Sequence, residues 1–391
     1  MTLSDHLDML GVELQATWTQ TRKANCDIIQ DRVDKTVRQW KSGKFMPLSM
    51  RSWSMHSYCL PKIWFRAHCV DLRQTDVSKI HSNIKSWVYG DQFFKPEERI
   101  LFRPSSFGWL GVHHAKLKAQ AALIRSFLET VCHPQFIPSL YHSTLFRYHV
   151  VGETGIPDPG FPPFYPTDFF SKIREVYLKP SFNVTTMSQK QWYNLLLENC
   201  TMELGDGDEM TYIPSRVEVA SPLTDWKKTW RLARMQGLGS EHTSFLFRLL
   251  HQLLPTQERL HRANKVVNAF CKAPGCSGTE VDTLAHNLVE CQANLEVGEN
   301  LMNVVRQYQP NLSLDAALRL EVDVDDELEL PLVWLCAATL LSIWDQRNAN
   351  LRVQPYLTRA ELEAKVNLLR ETRMSSNVNV LKQLITSMFE N

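Results

Sequence analysis

Apolar residues recur along the first third of the chain at helical spacing. Ile29, Val33, Val37 and Trp40 fall at i, i+4, i+8 and i+11, one face of a helix, and Gly43 is placed to end it. Trp53, Ser57, Leu60 and Trp64 mark a second helix, N-capped by Ser49 and kinked near Pro61. A third carries Val77, Ile80, Ile84 and Trp87, with Gly90 closing it. A fourth runs from about His114 to Val131, with Leu117, Ala121, Ile124 and Leu128 on one side. A short apolar strand-like segment (Leu7, Met9, Leu10, Val12, Leu14) precedes them. Four helices of this length can bury a core of their own, so residues 1–132 read as one helical region.

From His133 to Pro180 the pattern breaks. Pro134, Pro138, Pro157, Pro159, Pro162, Pro163 and Pro166 interrupt any period, so residues 133–180 read as a linker or irregular wrap. Residues 181–223 form a short connecting region with one amphipathic helix, around Lys190 to Leu197. The acidic run Gly205-Asp206-Gly207-Asp208 lacks the twelve-residue ligand series of a calcium loop and reads as a plain turn. Asp225 then opens a helix with Trp226, Trp230 and Ala233 on one side, followed by a second through Phe245, Leu246, Leu249, Leu250 and Leu253 that stops near Pro255. Thr256 caps a short basic helix, and a helical tail occupies 297–391. In that tail the apolar run Pro331 to Trp344 is too short to span a bilayer and reads as a buried helix. The fold expected is mainly α: a helical bundle, a Pro-rich linker, a small helical metal-binding unit at 224–296, and the tail.

Composition adds one point about compartment. The 391-residue chain has an ordinary hydrophobic content of 44%, and its nine cysteines are scattered behind an N-terminus with no basic-then-apolar leader. The expectation is an intracellular protein, cytoplasmic or nuclear, with thiols free or metal-bound and no membrane association. The sequons at Asn183, Asn199 and Asn311 carry no weight in that setting.

Four of the chemically soft residues lie close together. Cys271, Cys276, His286 and Cys291 follow the spacing C-x4-C-x9-H-x4-C. A Cys pair from a turn with a His and a Cys from a helix is a common way to build a tetrahedral Zn²⁺ site. Gly275 and Gly278 flank Cys276 and allow the bends that aim both sulfurs inward. With all four positions filled by protein, the metal reads as structural. The alternative is a set of ordinary buried cysteines beside a helix histidine.

The net charge of +1 hides segregation. Residues 225–272 hold 9 Lys+Arg against 3 Asp+Glu, whereas residues 279–330 hold 2 against 12. Lys227, Lys228, Arg231 and Arg234 recur along one side of the helix after Asp225, and Arg259, Arg262 and Lys265 repeat the pattern on the helix entering the metal site. Such rows are either solvated faces or phosphate-binding surfaces.

Several strings resemble the region that follows the catalytic core in non-LTR (LINE-like) retrotransposon reverse transcriptases. The zinc unit carries the similarity most specifically: Phe245-Leu246-Phe247-Arg248-Leu249, Leu253-Leu254-Pro255-Thr256, Leu260 and Arg262, then Cys271, Cys276, His286 and Cys291. Upstream, Leu10-Gly11-Val12 resembles the last palm strand. Leu48-Ser49-Met50-Arg51 through Leu60-Pro61-Lys62-Ile63-Trp64 resembles the thumb. Gly108-Trp109-Leu110-Gly111 resembles a Gly-Gly-Leu-Gly element with Trp109 in place of the second glycine, and Ile343-Trp344-Asp345-Gln346-Arg347-Asn348 resembles a Trp-to-Arg-Asn segment near the family's C-termini. The resemblance implies a thumb that packs on a template–primer duplex, with Lys35, Arg38, Lys41, Lys44, Arg51 and Lys62 as phosphate contacts. It also implies the palm and fingers of a full-length polymerase as a partner.

What the resemblance lacks here is the polymerase centre, an aromatic-x-Asp-Asp turn that holds two metal ions with a third Asp. In the family that turn precedes the Leu-Gly-Val strand, which here begins at residue 10. Asp325-Asp326 stands after the zinc unit inside a run of acids and reads as a solvated loop. The expectation is a chain with no enzymatic activity of its own that binds RNA or DNA with little sequence preference. The alternative is a helical protein–protein interaction module, either a retained host protein or a decayed fragment.

Overall fold

The computed structural model describes residues 6–9, 12–40, 46–70, 72–90, 98–102, 110–132, 137–160, 162, 165–179, 183–204, 210–212, 224–235, 237–273, 276–348, 358–368 and 377–390. They form a mainly helical protein, as the apolar spacing predicts. The strand-like segment is a hairpin of β1 (His6–Met9) and β2 (Val12–Gln15), paired antiparallel with Met9 opposite Val12. Leu10 and Gly11 lie outside the described residues. Helix α1 (Trp18–Trp40) follows, burying Cys26, Ile29, Val33 and Val37. Its Asn25 is fully buried: the amide oxygen accepts from the Glu13 N–H at 3.0 Å, and the amide nitrogen donates to the Glu13 carbonyl at 2.7 Å. The hairpin is thereby fixed to the helix through satisfied polar atoms.

Helix α2 (Leu48–Ser54) departs from expectation at its start. Pro47 is the N-cap residue, and Ser49 lies inside the first turn. The kink near Pro61 is a π-helical turn, Met55–Cys59, in which the Leu60 N–H donates to the Met55 carbonyl at 3.0 Å. Pro61 has no N–H and its ring crowds the carbonyl four residues back; the wider turn relieves both before α3 (Pro61–Cys69) continues. The buried side runs through Leu48, Ser52, Met55, Cys59 and Ile63, leaving Trp53 exposed.

Helix α4 (Gln74–Tyr89) ends where Gly90 takes φ +57°, the left-handed region that glycine enters freely. A short α5 (Glu98–Phe102) and the long α6 (Ala115–Cys132) follow. The proline-rich segment, expected as an irregular linker, instead carries α7 (Ile137–Leu145), a second π-turn (Phe146–Val151) and α8 (Phe169–Tyr177). Tyr165, Phe169 and Phe170 pack around Phe127 of α6 with ring centroids 5.5–5.7 Å away. That aromatic cluster draws the segment onto the first core. Helix α9 (Gln189–Thr201) lies along α6 with Trp192 fully buried, and a small hairpin, β3 (Met202–Leu204) with β4 (Met210–Tyr212), follows. Residues 205–209, which include the acidic turn, lie outside the described residues.

A second core gathers the rest. It holds α10 (Trp226–Leu232), α11 (Ser240–Leu250), α13 (Leu295–Tyr308), α14 (Leu314–Leu318), α15 (Asp326–Asn348), α16 (Arg359–Leu368) and α17 (Val378–Glu390), while α12 (Gln257–Arg262) buries no residue. Helix α15 is its axis. By length and composition α15 could cross a membrane, yet most of its apolar window is buried against other helices. The cores meet at α2 and α11, where the Leu48 N–H donates to Ser244 Oγ at 3.1 Å and Phe247 joins the first core.

Candidate metal centre

Residues 269–291 form the metal loop. Phe270 and Val281 pair as an antiparallel bridge, with the Cys271 N–H donating to the Glu280 carbonyl (2.9 Å) and the Asp282 N–H to the Ala269 carbonyl (2.8 Å). The Cys276 N–H closes a turn onto Ala273 O at 3.1 Å, and the Ala273 N–H is aimed at Cys271 Sγ, 3.4 Å away. An amide directed at sulfur favours the thiolate form that binds metal. Gly278 takes φ +74° on the return, and Gly275 lies outside the described residues.

The other two ligands share a π-helical turn, His286–Glu290. Thr283 Oγ1 accepts from the His286 N–H at 3.1 Å, and the Cys291 N–H donates to the His286 carbonyl at 2.7 Å. Residues five apart stand roughly 140° apart around an ordinary α-helix. The widened turn brings His286 and Cys291 back to one side.

All four donor atoms lie within 4.8 Å of one another. Cys271 Sγ is 3.7 Å from Cys291 Sγ, and Cys276 Sγ is 3.6 Å from His286 Nε2. A tetrahedron with Zn–S of about 2.3 Å and Zn–N of about 2.05 Å has S···S edges near ~3.8 Å and S···N edges near ~3.6 Å. The two measured edges fit those values, so the donor set suits a tetrahedral ion, compatible with Zn²⁺. Cys271 is pushed up by its hydrogen bond to Cys291 and then by burial, and Cys291 is pulled down by the same bond. A bound cation resolves that competition by deprotonating the thiols.

Behind the ligands stands Asp282, which is fully buried. Its carboxylate accepts from the Asn287 side chain (2.7 Å) and from the Gln257 backbone N–H (2.7 Å), and it pairs with Arg347. One carboxylate thus ties the metal loop to the start of α12 and the end of α15. Arg347 also lies over the Trp344 ring, 5.0 Å from its centroid, so the Trp-to-Arg-Asn segment is packed against the metal loop. Asp282 is a supporting residue that spacing alone does not disclose. The signal available was a lone Asp four residues before a ligand His.

Several of the basic residues are engaged by acidic partners. Lys228 is paired with Asp323 at 2.7 Å and Arg231 with Glu329 at 2.8 Å, so the acidic segment after α14 covers part of the α10 row. Lys227 is exposed, and Arg234 faces a cavity between the two cores. On α12, capped as expected by Thr256, Arg262 pairs with Glu258 yet stays 71% exposed, Arg259 is half-buried, and Lys265 is exposed just past the helix end. On α1, Lys35 pairs with Asp31 at 2.8 Å and Arg38 is exposed. Arg51 donates to the Met46 carbonyl at 2.8 Å. Lys41, Lys44 and the Lys62 side chain lie outside the described residues.

No protein-family model matches the chain, and no curated protein matches it. Asp325 and Asp326 stand just before and at the start of α15, well away in sequence from the metal loop, and neither belongs to a metal-ligand cluster among the described residues.

Proposed function

We propose that the chain is a zinc-stabilised, non-catalytic nucleic-acid-binding unit, corresponding to the thumb and zinc-binding portion of a non-LTR reverse transcriptase. The observation that carries this reading is the Cys271–Cys276–His286–Cys291 tetrahedron, built in the order and surroundings that the resemblance implies. The resemblance rests on the residues of the chain alone. The metal would hold the loop that fixes the start of α12 through Asp282, and Arg262, Lys265 and Lys272, on either side of that junction, are all exposed. Exposed cations in a row neutralise phosphates without reading sequence. The α10 row contributes less than its spacing implies, because Lys228 and Arg231 are engaged by Asp323 and Glu329.

Fluorescence anisotropy with a labelled single-stranded RNA and its DNA counterpart tests this. The zinc-loaded protein binds both at low salt, and a triple variant Arg262→Glu, Lys265→Glu, Lys272→Glu weakens both together while keeping its zinc. Absence of binding at low salt would hand the chain to the protein-interaction alternative. Val267 (93% exposed), just before the metal loop, with Phe270 and Val281 on it, would then be the residues to examine.

A further inference from the structure

Between the two cores lies a cavity of 290 Å³, walled by α2, the 110–111 segment, α10 and α11. Its walls combine the rings of Trp53, Trp230 and Phe247 with the hydroxyl side chains of Ser49, Ser52, Thr243 and Ser244. Trp230 is locked in place, stacked between Trp226 (5.3 Å) and His251 (4.7 Å). Trp53 is 56% exposed, an expensive place for an indole, yet its ring is held edge-on against Tyr58 at 5.6 Å. Arg234 also belongs to the lining, and among the described residues no carboxylate does. The remaining ring, His56, is bonded to His113 (2.8 Å), and its pKa is lowered by burial and then by Lys118. A neighbouring cavity at the same junction mixes Arg51 and Arg248 with Glu241 and Asp345, and so offers no net preference for an anion.

We infer that the cavity bounded by Trp53, Trp230, Phe247 and Arg234 is a binding site for a flat ring carrying an anionic group, of the size of a nucleoside monophosphate. Small-ligand sites combine a largely apolar lining with a few placed polar groups, starting at about 300 Å³. Here the ring packs against Trp53, a stacking platform that accepts any base, and the phosphate is met by Arg234 as a charge-assisted contact. The site is independent of the cationic edge by the metal loop, since none of Arg262, Lys265 or Lys272 lines it. A free nucleotide and the terminal nucleotide of a strand share this chemistry.

Calorimetric titration of the zinc-loaded full chain with adenosine monophosphate tests the site. One equivalent binds, adenosine and ribose 5-phosphate each bind more weakly, and Trp53→Ala and Arg234→Gln each weaken binding about tenfold. Because Trp53 is largely exposed, its replacement leaves the fold and the zinc content unchanged. Competition by a 5′-phosphorylated oligonucleotide identifies a strand end as the occupant, and its absence a free nucleotide. No heat from adenosine monophosphate at millimolar concentration overturns the inference, as does binding that both variants retain. So does ribose 5-phosphate binding as tightly as the whole nucleotide. Any of these leaves the anisotropy result of the cationic edge unaffected.

Discussion

Cys276 and His81 show how much a single side chain carries here. Cys276 is one corner of the four-donor cluster, whereas Cys132 is an exposed thiol on α6 that belongs to no metal-ligand cluster among the described residues. Structural zinc contributes on the order of 10 kcal/mol to small folded units. Cys276→Ser is therefore expected to abolish stoichiometric zinc and to raise hydrogen exchange across residues 255–295, while Cys132→Ser changes neither. Elemental analysis and exchange mass spectrometry read both effects, and full zinc in the Cys276 variant would remove that ligand. His81 acts through its neutral form. It is 1% exposed, its Nε2 accepts from the Ala115 N–H at 3.3 Å, and its ring faces Phe102 (4.2 Å) and His114 (4.4 Å). Burial, then the Lys85 charge, lower its pKa from 6.5 to about 3. Below 6.5 the unfolded chain takes up a proton that the folded chain refuses, so stability falls with pH until about 3. The loss through this group is roughly 2 kcal/mol at pH ~5. Urea melts should show His81→Gln losing less stability than the parent between neutral pH and pH ~5; equal losses would acquit His81.

At the scale of elements, the loop 269–291 depends on a buried ion pair. Removing one member of such a pair strands the other and costs about 3–5 kcal/mol. Asp282→Ala, which strands Arg347 and the Gln257 N–H, is expected to destabilise by that order in urea denaturation. Lys35→Ala, at a pair with both side chains more than half exposed, should fall within about 0.5 kcal/mol. A near-silent Asp282→Ala would mean the loop is held by the metal alone. The same contrast explains what could be read in advance. Helices α4 and α6 were legible because their apolar residues keep one period and Gly90 marks an end. The cluster of Cys271, Cys276, His286 and Cys291 is legible because its spacing is local. Helices α7 and α8 were not, because the prolines dominate the local pattern while the cluster that orders them, Phe127 with Tyr165, Phe169 and Phe170, joins distant parts of the chain. The start of α2 is ambiguous in the sequence for a smaller reason: Pro47 and Ser49 are two residues apart and either can open a helix.

For the whole molecule, two helical cores share the α2–α11 junction, and the metal loop, α12 and α15 are tied at Asp282. The sequence holds no aromatic-x-Asp-Asp turn, and primer extension with Mg²⁺ or Mn²⁺ is expected to give no product on RNA or DNA templates. Product that Asp325→Ala with Asp326→Ala abolished would overturn that expectation. The pairs Lys228–Asp323 and Arg231–Glu329 carry one further consequence. A polyanion gains much of its affinity for a basic surface by setting free the small ions condensed along it, one for each phosphate neutralised, with log K falling by about 0.7 per decade of salt per contact on single strands. Lys228 and Arg231 already have their counter-charges covalently attached to the same chain. A phosphate arriving there must first displace a carboxylate that cannot diffuse away, so these two cations are poor phosphate contacts. The salt slope of any RNA complex therefore counts only the cations outside this clasp, and it should stay unchanged when Lys228 is replaced by alanine.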